Sequence, residues 1–520
     1  MKRIMNNILA GISLIKKSTV VKISFLLTGI ISTIWFLIRV IPKPSRAAYP
    51  CMRAAAPVMS GFIIYLFSLA GSIAAFRKAK IHFMNSRYIY RTLFVLIAFA
   101  GSLFIISRET GNASPAGKTE WVIIPNKPVG DAKGIFPGRV VWVHDPAVAS
   151  WDGKNGNWWD ENVLSQAESD KMLSETLTTL TEQKNEKKAW NVLFRDFNSS
   201  NRGSGHSYKK GEKIAVKINE NNTYSHADSP EINASPQLVF SLLRSLVNEA
   251  GIPQQNITVF DASRFITDNI FNKCHAVFPD VVFVDNAGGE GRIKSTYVDN
   301  AIPYSVDNGR LATGLASCAV EADYLINMAL LKGHVGQGVT LCGKNWYGVT
   351  SINNDWRKNA HNNFNPDREG KPQYMTFVDF MAHKDLGQKT MLFLIDGFYG
   401  SRLVNGVPDP QWQMEPFNNN WACSLFASQD PVAIDAVGLD FLRCEFPDAP
   451  DMAFSDQYLF EAALADNPPS KTKYDPQQNN IPVTSLGVME HWNNPAEKKY
   501  SRNLGKSEGI ELVSRSIPVN

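Results

Sequence analysis

The sequence lacks most of the signatures that would assign a function quickly. Its six cysteines (Cys51, Cys274, Cys318, Cys342, Cys423 and Cys444) are scattered, with no CxxC pair and no Cys–His cluster of zinc-finger spacing. This argues against a locally ligated iron–sulfur cluster or structural zinc and leaves buried thiols that pack as small hydrophobes. Charge of one sign is not in excess: 53 basic residues stand against 49 acidic ones, for a net charge of +4. A nucleic-acid binder shows a concentrated basic face, and none is legible here. No internal repeat is present. A complete P-loop is also missing. Gly338 to Lys344 spells G-x-x-x-x-G-K, but Asn345 follows where magnesium-ligating Ser or Thr is required.

What the chain does have is an uneven distribution of apolar residues. Three long apolar stretches fall in the first fifth, at 23–41, 54–76 and 90–107. A spanning helix needs about 20 apolar residues, so the first two qualify outright and the third is short. The expectation is a membrane anchor over residues 1–110, in an inner or plasma membrane, followed by a soluble domain over 111–520. A cleaved signal peptide fits poorly, because the first run is long and two more follow. Basic residues set the orientation. Lys2, Arg3, Lys16, Lys17 and Lys22, with Arg77, Lys78, Lys80, Arg87 and Arg91, lie on one side of a three-span arrangement. Arg39, Lys43, Arg46 and Arg53 lie on the other. Ten against four places the N-terminus inside and the large domain in the extracytoplasmic space.

From Gly111 the pattern alternates between short apolar runs and amphipathic ones. Strands are expected at Val140–His144, Lys213–Asn219, Ile257–Asp261, Val281–Val284, Tyr324–Leu331 and Met391–Ile395. They are apolar on both faces, as parallel strands covered by helices are. Helices are expected at Pro236–Ala250 and Pro431–Phe441, and long loops at Trp151–Asp160, Asn353–Asn365 and Ala465–Pro482. The fold class is α/β, with a largely parallel sheet flanked by helices.

Polar residues follow nearly every expected strand: His144 and Asp145, Lys217 and Asn219, Asp261, Asp285 and Asn286, Lys332 and His334, and Asp396. Ligands of open α/β sheets bind outside the carboxyl ends of the strands, so these residues form the candidate site. The densest stretch, Leu331 to Gly348, holds Lys332, Lys344, His334 and five glycines, a composition suited to a carboxylate or phosphate. The reading assigns His334, Lys344 and Lys217 to catalysis. Asn219, Lys332, Asn345 and Asp261 take substrate binding, and Asp396, Asp430 and Asp435 the holding of a divalent metal, the candidate cofactor. The Trp-rich loop with Trp151, Trp158 and Trp159 suits either stacking on a glycan or a structural cluster. Asp152 and Asp160 beside it form a carboxylate pair of unknown separation.

These residues carry a resemblance. Lys217-Ile218-Asn219, Leu331-Lys332-Gly333-His334, Gly343-Lys344-Asn345-Trp346-Tyr347-Gly348, Asp396-Gly397 and Ser428-Gln429-Asp430-Pro431-Val432-Ala433-Ile434-Asp435-Ala436-Val437-Gly438 resemble, in order, the domain-of-unknown-function family 362 (DUF362) over roughly residues 210–445. Gly134 to Val140 and His491 to Asn494 look like the ends of a long variant. The resemblance implies a fold and a site, not a reaction. Some relatives carry ferredoxin-like CxxC segments. This chain lacks them, so the redox association does not carry over.

The expected function is an enzyme acting on a small anionic or carbonyl-bearing substrate at the carboxyl edge of the sheet. The competing readings are a non-catalytic ligand-binding or envelope-assembly module, and a redox partner in a membrane complex. The orientation is checked by a reporter fused after Asn520. One that works only outside the cytoplasm is expected to be active, and activity of a cytoplasm-only reporter overturns the assignment.

Overall fold

The computed structural model describes residues 124–351 and 365–517, with a few helical positions near the N-terminus (30, 31, 33–35 and 38). The three apolar stretches at 23–41, 54–76 and 90–107, Cys51 and all but the last residue of the Asn353–Asn365 loop lie outside the described residues or nearly so. Among the described residues no helix is long and apolar enough to cross a membrane.

Twelve strands build the described part: β1 (Arg139–His144), β2 (Ile214–Lys217), β3 (Ile257–Asp261), β4 (Val282–Asp285), β5 (Ile293–Lys294), β6 (Tyr297–Pro303), β7 (Ala312–Ala316), β8 (Tyr324–His334), β9 (Gly338–Val339), β10 (Thr390–Ser401), β11 (Ser424–Ser428) and β12 (Glu511–Ser516). The main sheet has the order β12-β1-β11-β10-β8-β2-β3-β4-β5, with β9 attached to β8. Along that path only β11 runs against the others. β6 and β7 form a separate antiparallel pair. All six expected strands are present, several longer than expected. β5, β6, β7, β9, β11 and β12 were not anticipated.

Side chains alternate across the sheet and so feed two cores. Val141, Val143, Ile214, Val216, Ile326 and Met328 face one layer, and Val140, Trp142, Ala215, Leu325 and Ala329 face the other. The first layer is closed by α1 (Gln166–Thr181), α2 (Glu186–Arg202), α3 (Pro236–Arg244) and α4 (Asp268–His275) through residues such as Leu173, Leu193, Leu242 and Ile270. The second is closed by α5 (Cys342–Asn345), α6 (Thr376–Ala382), α7 (Pro431–Glu445) and α8 (Gln457–Ala463), through Cys342, Phe377, Val437 and Leu459. The helix expected over Pro236–Ala250 keeps regular α geometry only to Arg244 and continues as a wider turn over Ser245–Glu249.

The helix starts follow from local chemistry. Ser165 caps α1 by accepting from Glu168 N, and Asp430 caps α7 by accepting from Val432 N and Ala433 N, with Pro431 in the first turn. The Trp-rich loop is an anchor for the fold. Trp151, Trp158 and Trp159 are buried. Trp151 stacks on Trp421 with centroids 5.9 Å apart, and Trp158 meets Tyr399 edge-on at 5.4 Å. These ring faces are therefore covered and do not offer a glycan platform. Asp152 accepts from Lys154 N and Asn155 N, and Asp160 from Asn157 N, so both carboxylates hold local turns. The five described cysteines are all unpaired.

The C-terminal segment is tied to α7 through a buried ionic cluster. The His491 ring bonds Asp440 through Nδ1 and Asp456 through Nε2 (3.2 Å). Arg443 reaches Asp456 at 3.1 Å, and Tyr500 donates to Asp440 Oδ2 at 2.9 Å. Burial disfavours the imidazolium, but the two carboxylates outweigh it and raise the pKa to about 9. A raised histidine pKa adds stability that is full below its unfolded value and is lost as pH rises through the folded one. A His491→Gln variant is expected to be destabilised by roughly 3 kcal/mol at pH 6, with the difference from the wild type shrinking toward pH 10. Denaturant midpoints measured across that range check this, and a difference independent of pH overturns it.

Candidate functional site

The candidate site lies where β2, β3 and β8 end. Lys217, the last residue of β2, is on the same face as Ala215, and its side chain is completely buried. A buried ammonium needs acceptors, and it has three. Its Nζ donates to Ile218 O, to Asp261 Oδ2 (3.1 Å) and to Asn345 Oδ1 (3.0 Å). Asp261, ending β3, completes its own set with Glu220 N (3.0 Å), Ser263 N (3.1 Å) and Ser263 Oγ (3.2 Å). Asn345 in α5 is fixed equally firmly. Its Oδ1 also accepts from Asn219 Nδ2 at 3.1 Å, and its Nδ2 donates to Asn327 Oδ1 (2.8 Å) and Met328 O (3.1 Å). One hydrogen-bonded group thus joins the ends of two strands, the start of a loop and a helix on the far side of residue 340.

Around this group is a small cleft lined by Lys217, Asn219, Asp261, Arg264, Lys344, Asn345 and Tyr347, among others. Five residues singled out from sequence, drawn from three separate segments, therefore meet in one place. The recess itself has ≈ 20 Å³ of space, room for about one water molecule, so anything larger lies at its mouth. Gly348 closes the base. A Cβ there would stand 2.8 Å from Lys217 Nζ and 3.0 Å from Asp261 Oδ1, which explains the glycine.

The cleft is electrostatically cationic. Lys344 is buried, with its Nζ 4.4 Å from the centre of the Tyr347 ring. Burial, with Arg264, Lys217 and Lys332 nearby, lowers its pKa to about 7, against the pull of Asp261. Lys332 at the end of β8 is fully buried and donates to Ile232 O at 3.2 Å. Burial lowers its pKa to about 7, with Glu220 and Glu231 opposing. The His334 ring lies with Nδ1 2.7 Å from Val335 O. Desolvation, Lys344 and Lys332 together push its pKa well down. With Nδ1–H donated to that carbonyl, Nε2 keeps its lone pair.

Four of the residues assigned from sequence are engaged by the protein itself. Lys217, assigned to catalysis from sequence, directs its three N–H bonds at protein acceptors. Asp396, Asp430 and Asp435 were expected to hold a metal. Among the described residues no group of three or more His, Cys, Asp or Glu side chains is arranged to hold one. Each carboxylate instead accepts from backbone amides. Asp396 accepts from Ser235 N (2.9 Å) and Phe398 N (3.2 Å) and so fixes the start of α3. Asp430 accepts from Lys133 N (2.9 Å) and Val488 N (3.1 Å) besides capping α7, so it fastens both end segments of the domain. Asp435 accepts from Cys342 N and Gly343 N, both at 2.8 Å, and from the Tyr458 hydroxyl at 2.9 Å. The amides that a phosphate would need in a P-loop are therefore held by an internal carboxylate, and the P-loop-like spacing has no phosphate-binding geometry.

Two groups escaped the sequence reading. Arg264, three residues after Asp261, lines the cleft and donates to Asn221 O at 2.8 Å. Glu220 is completely buried beside the cluster, and neither of its carboxyl oxygens has a hydrogen-bond partner among the described residues. Burial and Asp261 raise its pKa well above normal, with Lys217 and Lys332 opposing. The signal for Arg264 was its position just past a strand end. For Glu220 no local signal exists, since a glutamate in an Asn-rich turn reads as solvated.

The fold and cleft define an α/β protein with a polar site at the carboxyl edge of a mostly parallel sheet. Within it, residues 214–440 match the family model described as "Domain of unknown function (DUF362)", which supports that family for this segment. No curated protein and no solved structure matches the chain.

The Lys217 network makes a measurable claim. Removing one partner of a buried ion pair leaves the other uncompensated and costs about 3–5 kcal/mol. Lys217→Met is expected to lose stability on that scale, and Lys217→Met with Asp261→Asn to lose clearly less than the sum of the two single changes. Chemical denaturation of the four proteins tests it, and additivity of the two changes overturns the coupling.

Proposed function

We propose that this chain binds a small anionic substrate at the carboxyl edge of its sheet, with Lys344 and Arg264 holding the negative charge and His334 Nε2 accepting a proton. The observation that carries the reading is the convergence of Lys344, Arg264 and the Lys217–Asp261–Asn345 network in one cleft. Lys332 adds positive potential from behind, as its effect on Lys344 records. Lysines with pKa values near 7 exchange protons at neutral pH, and such perturbed groups are concentrated at catalytic sites. They favour an enzyme over a passive binding module. The carboxylates assigned to a metal from sequence are all engaged with backbone amides, so the reading needs no divalent ion. Attachment to a membrane, with this domain on its extracytoplasmic side, belongs to the same proposal and is supported by the hydropathy and charge pattern of residues 1–110.

The sign of the pH dependence follows from the lysines. Below about pH 7 Lys344 and Lys332 carry charge and attract an anion. As pH rises through their folded values they lose it. Sulfate keeps one charge state across this range and is the suitable probe. Titration calorimetry of the full-length chain is expected to show sulfate affinity falling at least about 10-fold between pH 6 and pH 8.5. Lys344→Ala is expected to weaken binding about 10-fold or more at pH 6, the loss of one charge-assisted contact. Unchanged affinity in Lys344→Ala overturns the reading.

A further inference from the structure

Strands of a parallel sheet are ordinarily covered on both faces. On one face of β3 and β4 this holds: Ile257, Val259 and Phe283 are buried in the first layer with α3 and α4. On the other face the cover is incomplete. α5 and α7 pack chiefly on β8, β10, β11 and β1, and toward β5 the layer is continued by β7 and the helical turn Ser317–Glu321. This leaves a cavity of ≈ 270 Å³ toward the amino-terminal ends of β2 and β3. Thr258, Val282 and Val284 of the sheet form its floor, and Cys318 and Ala322 form a wall. Ile293 and Lys294 of β5 lie at one end, and Lys213, just before β2, at the other. Ile293 is 56% exposed although it is a strand residue. Ligand pockets hold roughly 300–1,000 Å³, so this cavity suits a small ligand. It shares no lining residue with the cleft at the carboxyl edge.

We propose that this cavity is a second binding site, for a small monocarboxylate with an apolar body, its carboxylate at Lys294 and its body over Val282, Val284 and Ala322. Charge selects the head group. The charged lining residues are Lys213, Lys294 and Glu321. Lys213 Nζ lies 3.4 Å from Glu321 Oε2 and is matched by it. Lys294 has no ion-pair partner among the described residues, so the cavity keeps one positive charge in excess. A single excess charge suits a monoanion better than a dianion such as a phosphate monoester, and it opposes an ammonium group. Polarity selects the body. Val282, Val284 and Ala322 offer only hydrocarbon, with the Thr258 hydroxyl beside them, so a sugar would lose most of its hydrogen bonds to water there. Burial pushes the Cys318 thiol up to about 12, so it stays neutral and extends the apolar wall. The site stands apart from the anion-binding reading of the cleft.

The test titrates hexanoate, hexanol, hexylammonium and butanoate into the full-length chain at pH 7.5. Hexanoate is expected to bind at least about 10-fold more tightly than hexanol or hexylammonium, which lack the negative charge. It is expected to bind at least about fivefold more tightly than butanoate, because two further methylenes leave water. Lys294→Glu, on an exposed edge strand, is expected to weaken hexanoate about 10-fold or more without lowering the melting temperature. Thr258→Phe fills the floor and is expected to abolish binding. Lys344→Ala, in the cleft, is expected to leave hexanoate affinity within about twofold. No binding of hexanoate to the wild type overturns the proposal, as does equal affinity for hexanoate and hexanol. Unchanged affinity in Lys294→Glu does the same, and so does loss of binding in Lys344→Ala, which places hexanoate in the cleft. Sulfate binding reports on the cleft alone, so failure here leaves the anion site standing.

Discussion

A buried ammonium is the constraint on which the carboxyl edge of this sheet depends. Lys217 lies at the end of the strand between β8 and β3, with no access to water. Leaving that charge unmatched would cost several kcal/mol, so the surrounding chain has to bring acceptors to it. It does so from three directions: the Ile218 carbonyl, Asp261 at the end of β3 and Asn345 from the helix layer that covers this face. The geometry of the loop after β8 follows. With Asn345 bound to Lys217 and Asn327, Lys344 is held beside the cleft, and Gly348 packs where any side chain would strike the ion pair. The charge that organises the site is therefore matched within the protein itself.

The aspartates of the Asp430–Asp435 segment play the same part within the helix layer that covers this face of the sheet. A carboxylate that accepts two or more backbone amides acts as an internal substitute for a bound anion. Asp435 does this for the amides of Cys342 and Gly343, and Asp430 for those of Lys133, Val432, Ala433 and Val488. Burial raises both pKa values to about 6, and the amide bonds pull the other way. α7 is in this way the hub to which the Lys344 loop and both ends of the domain are fastened. A short segment with two aspartates six residues apart by inclusive count can thus be demanded by architecture alone.

How much of this was legible in the sequence depends on the range of the interaction. The strands were readable because a strand covered on both faces must be apolar throughout, as in Ile257–Asp261 and Tyr324–Leu331. α1 and α2 went unread although Ser165 with Glu168, and the apolar positions Leu173, Leu177 and Leu180, mark the first of them. β11 was missed because Ser424–Ser428 is short and bounded by serines, and it needs β1 and β10 on either side to become a strand. The clustering of Lys217, Asn219, Asp261, Lys344 and Asn345 was foreseeable, since parallel strands deliver their last residues to one edge. The roles within the cluster were not. Whether an aspartate holds a metal or a pair of amides is decided by partners dozens of residues away: 93 positions separate Asp435 from Cys342.

Saturation is what separates frame from site in this molecule. Two lysines lie fully buried at adjacent strand ends, and composition alone does not distinguish them. Lys217 has an acceptor for each of its three protons, while Lys332 makes one bond, to the Ile232 carbonyl. Asp261 and Glu220 differ in the same way, the first with four donors and the second with none at its carboxyl oxygens. A fold selected for stability alone would have no use for the second member of either pair, because an apolar side chain of similar volume would serve better. Their retention beside the saturated pair sets the incomplete hydrogen bonding next to the Lys217 network and outside it.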